Sequence, residues 1–218
     1  MRRFHAMNEP AFVWPVRGLY AITDGASSPQ ALVDQVVAWI AGGARVVQYR
    51  DKGGDAGRRL EEGQALRTVC RAAGVPLLIN DDVALALAIR ADGVHLGRDD
   101  AELRMARARL GPRALIGVSA YADLARAREA VALGADYVAF GRFFPSVTKP
   151  HAPPAPVALL RAARRALSVP VVAIGGITPE NAGSLIAAGA DLVAVIGGLA
   201  GPEPQMWAQR YAALFPAA

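Results

Sequence analysis

Two loops carry the residue types that hold phosphate. One is Gly141–Pro150 (GRFFPSVTKP) and the other is Ala173–Thr178 (AIGGIT), and each follows a short apolar run that reads as a buried strand. Glycine lets backbone approach a ligand closely, and hydroxyls, free N–H groups and a lysine are what a phosphate needs around it. Two such loops late in a parallel α/β chain point to a phosphorylated small molecule.

Earlier in the chain the polar residues collect where apolar runs end. Gln48-Tyr49-Arg50-Asp51-Lys52 follows the second run, and strand alternation predicts that Gln48, Arg50 and Lys52 share one side. An arginine fork and a lysine point charge beside an amide make an anion clamp, whereas a salt-bridge cluster with Asp51 is the competing use. Asn80-Asp81-Asp82 follows the third run and His95-Leu96-Gly97-Arg98-Asp99-Asp100 the fourth. Hard carboxylate oxygens on adjacent strand ends suit Mg²⁺, which borrows further oxygens from a diphosphate; Asp81 and Asp100 are the expected ligands. Helix N-capping by Asp81 or Asp82, and by Asp99 or Asp100, is the alternative. His95 sits mid-strand among apolar neighbours and reads as a satisfied core histidine, and Ser119 can donate one hydrogen bond. Gly175-Gly176 reads equally as a tight turn, with Thr178 capping a helix that begins at Pro179.

These groups make two anion sites of different kinds. One is Mg²⁺-assisted, from Gln48, Arg50, Lys52, Asp81 and Asp100; the other is metal-free, from hydroxyls and backbone N–H groups of the later loops. No strand end carries a Ser–His–Asp set, a reactive cysteine or a pair of His ligands. Such a site is built to hold two phosphorylated reactants and stabilise a departing diphosphate, with little need for a protein nucleophile.

Eight apolar runs must position these residues: Leu19–Ile22, Val46–Tyr49, Pro76–Ile79, Gly93–Leu96, Ala114–Val118, Tyr137–Phe140, Val171–Ile174 and Leu192–Ile196. Between them lie segments of helical period such as Pro29–Ala41, Arg58–Ala73, Ala101–Leu110 and Ala122–Leu133. Runs without strict alternation suit a parallel sheet buried on both faces. The repeated ends AGGA, LGAD and AGAD supply glycine where a helix stops. Eight βα units in this length argue for one closed (β/α)8 TIM barrel over residues 1–218, with residues 1–15 as a short N-terminal arm. The proline-rich Pro150–Pro156 stretch reads as a rigid exposed loop before the sixth helix. Catalytic groups are then expected at the C-terminal strand ends, where the polar clusters already lie.

Composition removes several function classes. At 218 residues, 53% hydrophobic and 20% charged, the chain can bury one large core. No apolar run reaches bilayer length, and Met1–Pro10 lacks the apolar core of a secretion signal. The single Cys70 rules out an internal disulfide. An intracellular, cytoplasmic enzyme with no membrane partner is the expectation. The formal charge of +5 comes from arginines scattered over helical segments without interleaved aromatics, so it argues against nucleic acid and for capture of anionic substrates. Apolar outer helix faces would serve a homodimer or merely cover the barrel.

From Leu19 to Leu199 the chain resembles the thiamine-phosphate synthase family. The resemblance rests on LYAITD, VQYRDK, LLINDDVALA, GVHLGRDD, IGVSA, FGRFFPSVTKP, AIGGITPEN and AGADLVAVIGG, in order and one per βα unit. It implies a transferase that joins a pyrimidine methyl diphosphate to a thiazole phosphate. Gln48, Arg50, Lys52 and Asn80 would bind the pyrimidine diphosphate, with Ser119 and Lys149 contacting the same substrate and Asp81 and Asp100 holding Mg²⁺. Ser146, Thr148, Gly176, Ile196 and Gly197 would cradle the thiazole phosphate. Loss of diphosphate, assisted by Mg²⁺, Lys149 and Arg50, leaves a stabilised carbocation that the thiazole nitrogen captures, with no general base.

Three positions depart from the family pattern. Ser146 stands for the usual Thr, Gly197 for a Ser, and Tyr121 for the His that many synthases carry in the strand-five loop. The alternatives are a thiazole tautomerase-type paralogue, which uses a His at that place, and a non-catalytic phosphate-binding barrel. The Gln48/Arg50/Lys52/Asn80/Asp81/Asp100 set favours the synthase, since a tautomerase has no diphosphate to bind.

Overall fold

The computed structural model describes residues 14, 17–25, 28–97, 100–146 and 153–215, with 100 and 101 by backbone alone. Eight parallel strands close into a barrel in sequence order: β1 (Gly18–Ile22), β2 (Ala44–Tyr49), β3 (Leu77–Asn80), β4 (Gly93–Leu96), β5 (Leu115–Tyr121), β6 (Tyr137–Phe140), β7 (Val171–Ile174) and β8 (Leu192–Val195). Helices α1 (Pro29–Ala41), α2 (Ala56–Ala72), α3 (Val83–Ile89), α4 (Asp100–Leu110), α5 (Leu124–Ala132), α6 (Ala158–Ala166), α7 (Pro179–Ala187) and α8 (Pro204–Ala212) follow their strands. A 3₁₀ turn, Gly197–Leu199, precedes α8. The expected (β/α)8 barrel is the observed architecture. The expected N-terminal arm, residues 1–15, lies outside the described residues except for Trp14, which stacks on Tyr137 at a centroid distance of 4.3 Å.

Local chemistry sets the helix starts. Ser28 accepts the Ala31 N–H at 3.2 Å ahead of Pro29, and Asp55, Asp82 and Asp123 cap α2, α3 and α5 through their carboxylates. Thr178 caps α7, where Asn181 Oδ1 accepts its N–H at 2.9 Å. Leu32, Val36 and Trp39 then fall on one face of α1 and bury against the barrel.

The closed end of the barrel is stapled by a repeated aspartate. The residue just before β4, β6 and β8 is Asp92, Asp136 or Asp191, and each carboxylate accepts an N–H at the start of the preceding odd strand: Leu77 at 2.8 Å, Ile116 at 2.7 Å and Val171 at 2.9 Å. Arg67, Arg107 and Arg164 pair with these carboxylates. The Asp of LGAD and AGAD is therefore structural, and it leaves the opposite rim to the polar clusters.

Inside, Tyr20, Val46, Leu78, Leu115, Tyr137, Val172 and Leu192 fill the lumen, while a larger apolar layer lies between strands and helices. Toward the C-terminal strand ends, Ile22, Ala139 and Ala194 of this core also line the cavity above it. No described helix is long and apolar enough to cross a membrane.

Candidate active site

The barrel mouth opens into a cavity of about 370 Å³. Its wall includes Gln48, Arg50, Asn80, His95, Ser119, Tyr121 and Ser146, and its far side includes Gly175, Gly176, Thr178, Ile196 and Gly197. The register explains the convergence. Gln48 lies beside Ile22 and Leu78, Asn80 beside His95, and Ser119 beside Ala139.

Arg50 is held before any ligand arrives. The Thr23 hydroxyl accepts the Arg50 N–H at 2.8 Å and donates to the Arg50 carbonyl at 3.0 Å. The Arg50 side chain is only 9% exposed, and its guanidinium pairs with Asp24, whose side chain is largely open to solvent. A buried arginine anchored on one edge at a cavity wall is a preorganised anion clamp.

Lys52 does not follow Gln48 and Arg50 into the cavity. It is exposed and lies off the cavity wall, because the chain leaves β2 after Tyr49 and strand alternation ends there. Asp51, weighed as the partner of the two cations, instead binds Arg58 at 2.7 Å. Burial alone would raise the Asp51 carboxyl, but the Arg58 guanidinium and the Gly53 N–H hold it below its usual range. Arg58 also reaches Glu62 at 3.0 Å, and buried Glu62 accepts the Tyr49 hydroxyl at 2.6 Å. This network behind β2 sets the loop that carries Arg50.

The two neighbouring aspartates after β3 take different jobs. Asp82 caps α3, accepting the Leu85 N–H at 2.8 Å, and pairs with Arg59 at 3.0 Å. Asp81 has φ 60° and is exposed at the rim, with Asn80 Nδ2 donating to its Oδ2 at 2.7 Å. Its N–H binds the His95 carbonyl at 2.9 Å, and its Oδ1 would lie 3.8 Å from a methyl placed on Gly97. Asp81 thus leans toward the β4 loop that leads into α4, of which Asp100 is the first residue. The Asp100 side chain, Thr148 and Lys149 lie outside the described residues. Among the described residues no group of three or more His, Cys, Asp or Glu stands ready to hold a metal alone. A carboxylate with a free rim-facing oxygen fits a hard cation that takes its remaining ligands from substrate and water.

The far side is built by close backbone approach. Gly176 has φ +64°, and a Cβ there would stand 2.2 Å from the Pro145 carbonyl oxygen and 2.8 Å from that of Phe144. A Cβ on Gly175, φ +104°, would strike Arg142 Cβ at 2.3 Å. The β6 loop is therefore pressed onto the β7 turn, which brings Ser146 to the cavity. Beside it, the 3₁₀ turn starts at Gly197 with N–H groups that have no acceptor within the turn. A Cβ on Gly197 would meet nothing within 4 Å, so the missing serine side chain leaves open space. Ala155, within the proline-rich stretch expected to be exposed, is buried and donates to the Arg142 carbonyl at 2.7 Å.

His95 is satisfied, as expected, and it also faces the cavity: Nδ1 lies 2.8 Å from the Tyr137 hydroxyl and Nε2 3.0 Å from Ser119 Oγ. Sequence reasoning missed Tyr20, Asp24, Tyr137 and Arg142. Asp24 sits in the LYAITD motif, a signal that was available; the two tyrosines read simply as apolar strand residues.

A family model described as thiamine monophosphate synthase matches residues 19–199. The thiamine-phosphate synthase of Azoarcus sp. (strain BH72) is 54% identical over 201 residues, spanning 92% of this chain and 98% of that protein. That of Nitrosococcus oceani is 55% identical over 185 residues, spanning 84% and 85%. Among solved structures, thiamine phosphate pyrophosphorylase from Pyrococcus furiosus superposes with a TM-score of 0.80 at 32% identity, covering 91% of this chain and 95% of that one. With a family model over residues 19–199 and relatives more than half identical over most of its length, the chain belongs to the thiamine monophosphate synthase family.

Proposed function

We propose that this chain joins 4-amino-2-methyl-5-(diphosphooxymethyl)pyrimidine to a thiazole phosphate, releasing thiamine phosphate and diphosphate, as a single catalytic domain in the cytoplasm. The observation that carries the reading is one cavity with two anion-binding walls. Buried Arg50 stands just after β2, and Ser146 with the Gly175–Gly176 turn stands on the β6–β7 side of an eight-strand barrel, roughly across from it.

Gln48, Asn80 and Ser119 orient the pyrimidine, while Arg50 receives its diphosphate. Lys149 and, from the rim, Lys52 add positive charge to the same anion. Asp81 and Asp100 are the residues that would hold Mg²⁺, which when bound supplies charge neutralisation to the departing diphosphate. Ser146, Thr148, Gly176, Ile196 and Gly197 hold the thiazole phosphate, so that the ring nitrogen faces the methylene carbon. The C–O bond breaks with its electron pair leaving on diphosphate, and the nitrogen lone pair forms the new C–N bond. No proton moves, so no side chain has to act as a base. Holding both reactants in one water-poor cavity supplies most of the catalysis.

The test is direct. Purified protein, Mg²⁺ and the two substrates should yield thiamine phosphate and diphosphate in equal amounts, with Arg50→Ala and Lys149→Ala each slowing turnover by about 10²-fold or more. Absence of product, or full activity in both variants, would refute the reading.

A further inference from the structure

A continuous hydrogen-bond chain crosses the lumen at the floor of the cavity. Gln48 Nε2 lies 2.6 Å from the Tyr20 hydroxyl, which lies 2.8 Å from the Tyr137 hydroxyl. Tyr137 reaches His95 Nδ1 at 2.8 Å, and His95 Nε2 reaches Ser119 Oγ at 3.0 Å. Five residues on five different strands are joined, and the two ends, Gln48 and Ser119, both face the cavity. Tyr20 and Tyr137 are fully buried, and burial pushes both phenols well above their usual range, so each keeps its proton.

Proton counting then gives the chain a direction. Each phenol has one proton to donate, and a neutral imidazole donates from one nitrogen and accepts at the other. With the Gln48 amide N–H donating to Tyr20, the Tyr20 proton goes to Tyr137 and the Tyr137 proton goes to His95 Nδ1. His95 must then carry its proton on Nε2 and donate it to Ser119. The serine proton is left to point into the cavity, and Gln48 presents its carbonyl oxygen there. Reversing any one link reverses both ends together.

We propose that Tyr20, Tyr137 and His95 are positioning residues that fix this polarity, so that the mouth offers an acceptor at Gln48 and a donor at Ser119. The inference rests on the reading of the site given above. It makes the chain a specificity determinant for a flat ring with an amino group toward Gln48 and a lone pair toward Ser119. An oxo group in place of the amine would set two acceptors against each other unless the whole chain turned over. A site that leaves a buried polar group unpaired rejects such an analogue strongly.

The first measurement needs no substrate. In ¹⁵N-histidine-labelled protein, with His95 assigned by its disappearance in His95→Gln, the ring should be neutral with the proton on Nε2; a proton on Nδ1 overturns the proposal. The second is kinetic. Tyr137→Phe keeps the ring and its stack on Trp14 but cuts the chain. It should raise KM for the aminopyrimidine diphosphate about 10-fold, change kcat and the thiazole-phosphate KM by less than about 3-fold, and lower the amino-over-oxo preference about 10-fold. His95→Leu should do the same. His95→Gln, whose amide can accept from Tyr137 and donate to Ser119, should recover most of the loss. Equal rises in both KM values, or a fall in melting temperature with unchanged preference, would make the chain merely structural. Should the wild type turn over neither substrate, the functional reading fails while the tautomer measurement still decides the chain.

Discussion

Glu62 offers a demanding test of how the mouth is held in place. Its carboxylate is buried on α2, accepts the Tyr49 hydroxyl at 2.6 Å and pairs with Arg58, which in turn grips Asp51 at the start of the loop after β2. Burial and then the Glu62 carboxylate push the Tyr49 phenol up, so it remains a hydroxyl that needs an acceptor. Glu62→Ala strands that hydroxyl in a site where Tyr49 is 2% exposed. Losing the acceptor of a buried donor costs about 1–3 kcal/mol. Arg58 keeps Asp51 as a partner at 2.7 Å, so its lost bond to Glu62 adds less than the stranded hydroxyl. In urea unfolding, with a slope of about 2–3 kcal/mol/M, the midpoint should fall by about 0.3–1.5 M. Glu62→Gln retains an acceptor and should lose under about 1 kcal/mol. Removing both groups should cost less than the sum of the single losses, with a coupling of about 1–2 kcal/mol in the Glu62→Ala/Tyr49→Phe cycle. The freed loop should also raise KM for the diphosphate substrate. Single losses that add within about 0.5 kcal/mol, or no loss in Glu62→Ala, would refute the reasoning.

Three further outcomes are expected. Gly176→Ala must displace the Phe144–Pro145 backbone, since its Cβ would lie 2.2 Å from a carbonyl oxygen, so KM for the thiazole phosphate should rise at least about 10-fold; an unchanged KM removes the turn from the site. Gly197→Ser enters open space and restores a hydroxyl beside the 3₁₀ turn, so the same KM should fall by about 3-fold or more, whereas a rise would show that the phosphate lies elsewhere. The buried phenols give an alkaline signature. Tyr20 and Tyr137 titrate above the ordinary value of 10.0, so the folded state keeps protons that the unfolded chain releases. Stability from this source is complete below that pH and falls by about 1.4 kcal/mol per pH unit for each phenol above it; urea midpoints that stay flat across this range would contradict the burial.

The barrel was largely legible from apolar runs, because a strand buried on both faces has no polar residue to blur it. β4, β6 and β7 fall on the expected residues, and α1 runs from Pro29 to Ala41 as read from its period. Boundaries slipped where a side chain faced solvent or the cavity. Exposed Arg45 hid the start of β2, and β5 runs on through Ser119 to Tyr121 because strand pairing continues where the apolar pattern stops. Lys52 was placed by alternation that the chain had already abandoned. The lumen chain was illegible for a different reason: Tyr20 and Tyr137 are separated by 117 residues, and only barrel closure brings their hydroxyls together. Asp81 and Asp82 look alike in sequence, yet a left-handed backbone at one and a cap geometry at the other divide their roles.

In the proposed reaction, rim carboxylates and a divalent cation release diphosphate from a pyrimidine held in this mouth. Turnover measured across a Mg²⁺ titration, in wild type and in Asp81→Asn, tests it most directly. Wild-type turnover should vanish in chelator and return saturably with Mg²⁺, and Asp81→Asn should need about 10-fold more Mg²⁺ or fail to recover. Undiminished turnover in chelator, or the same Mg²⁺ dependence in both proteins, would contradict it.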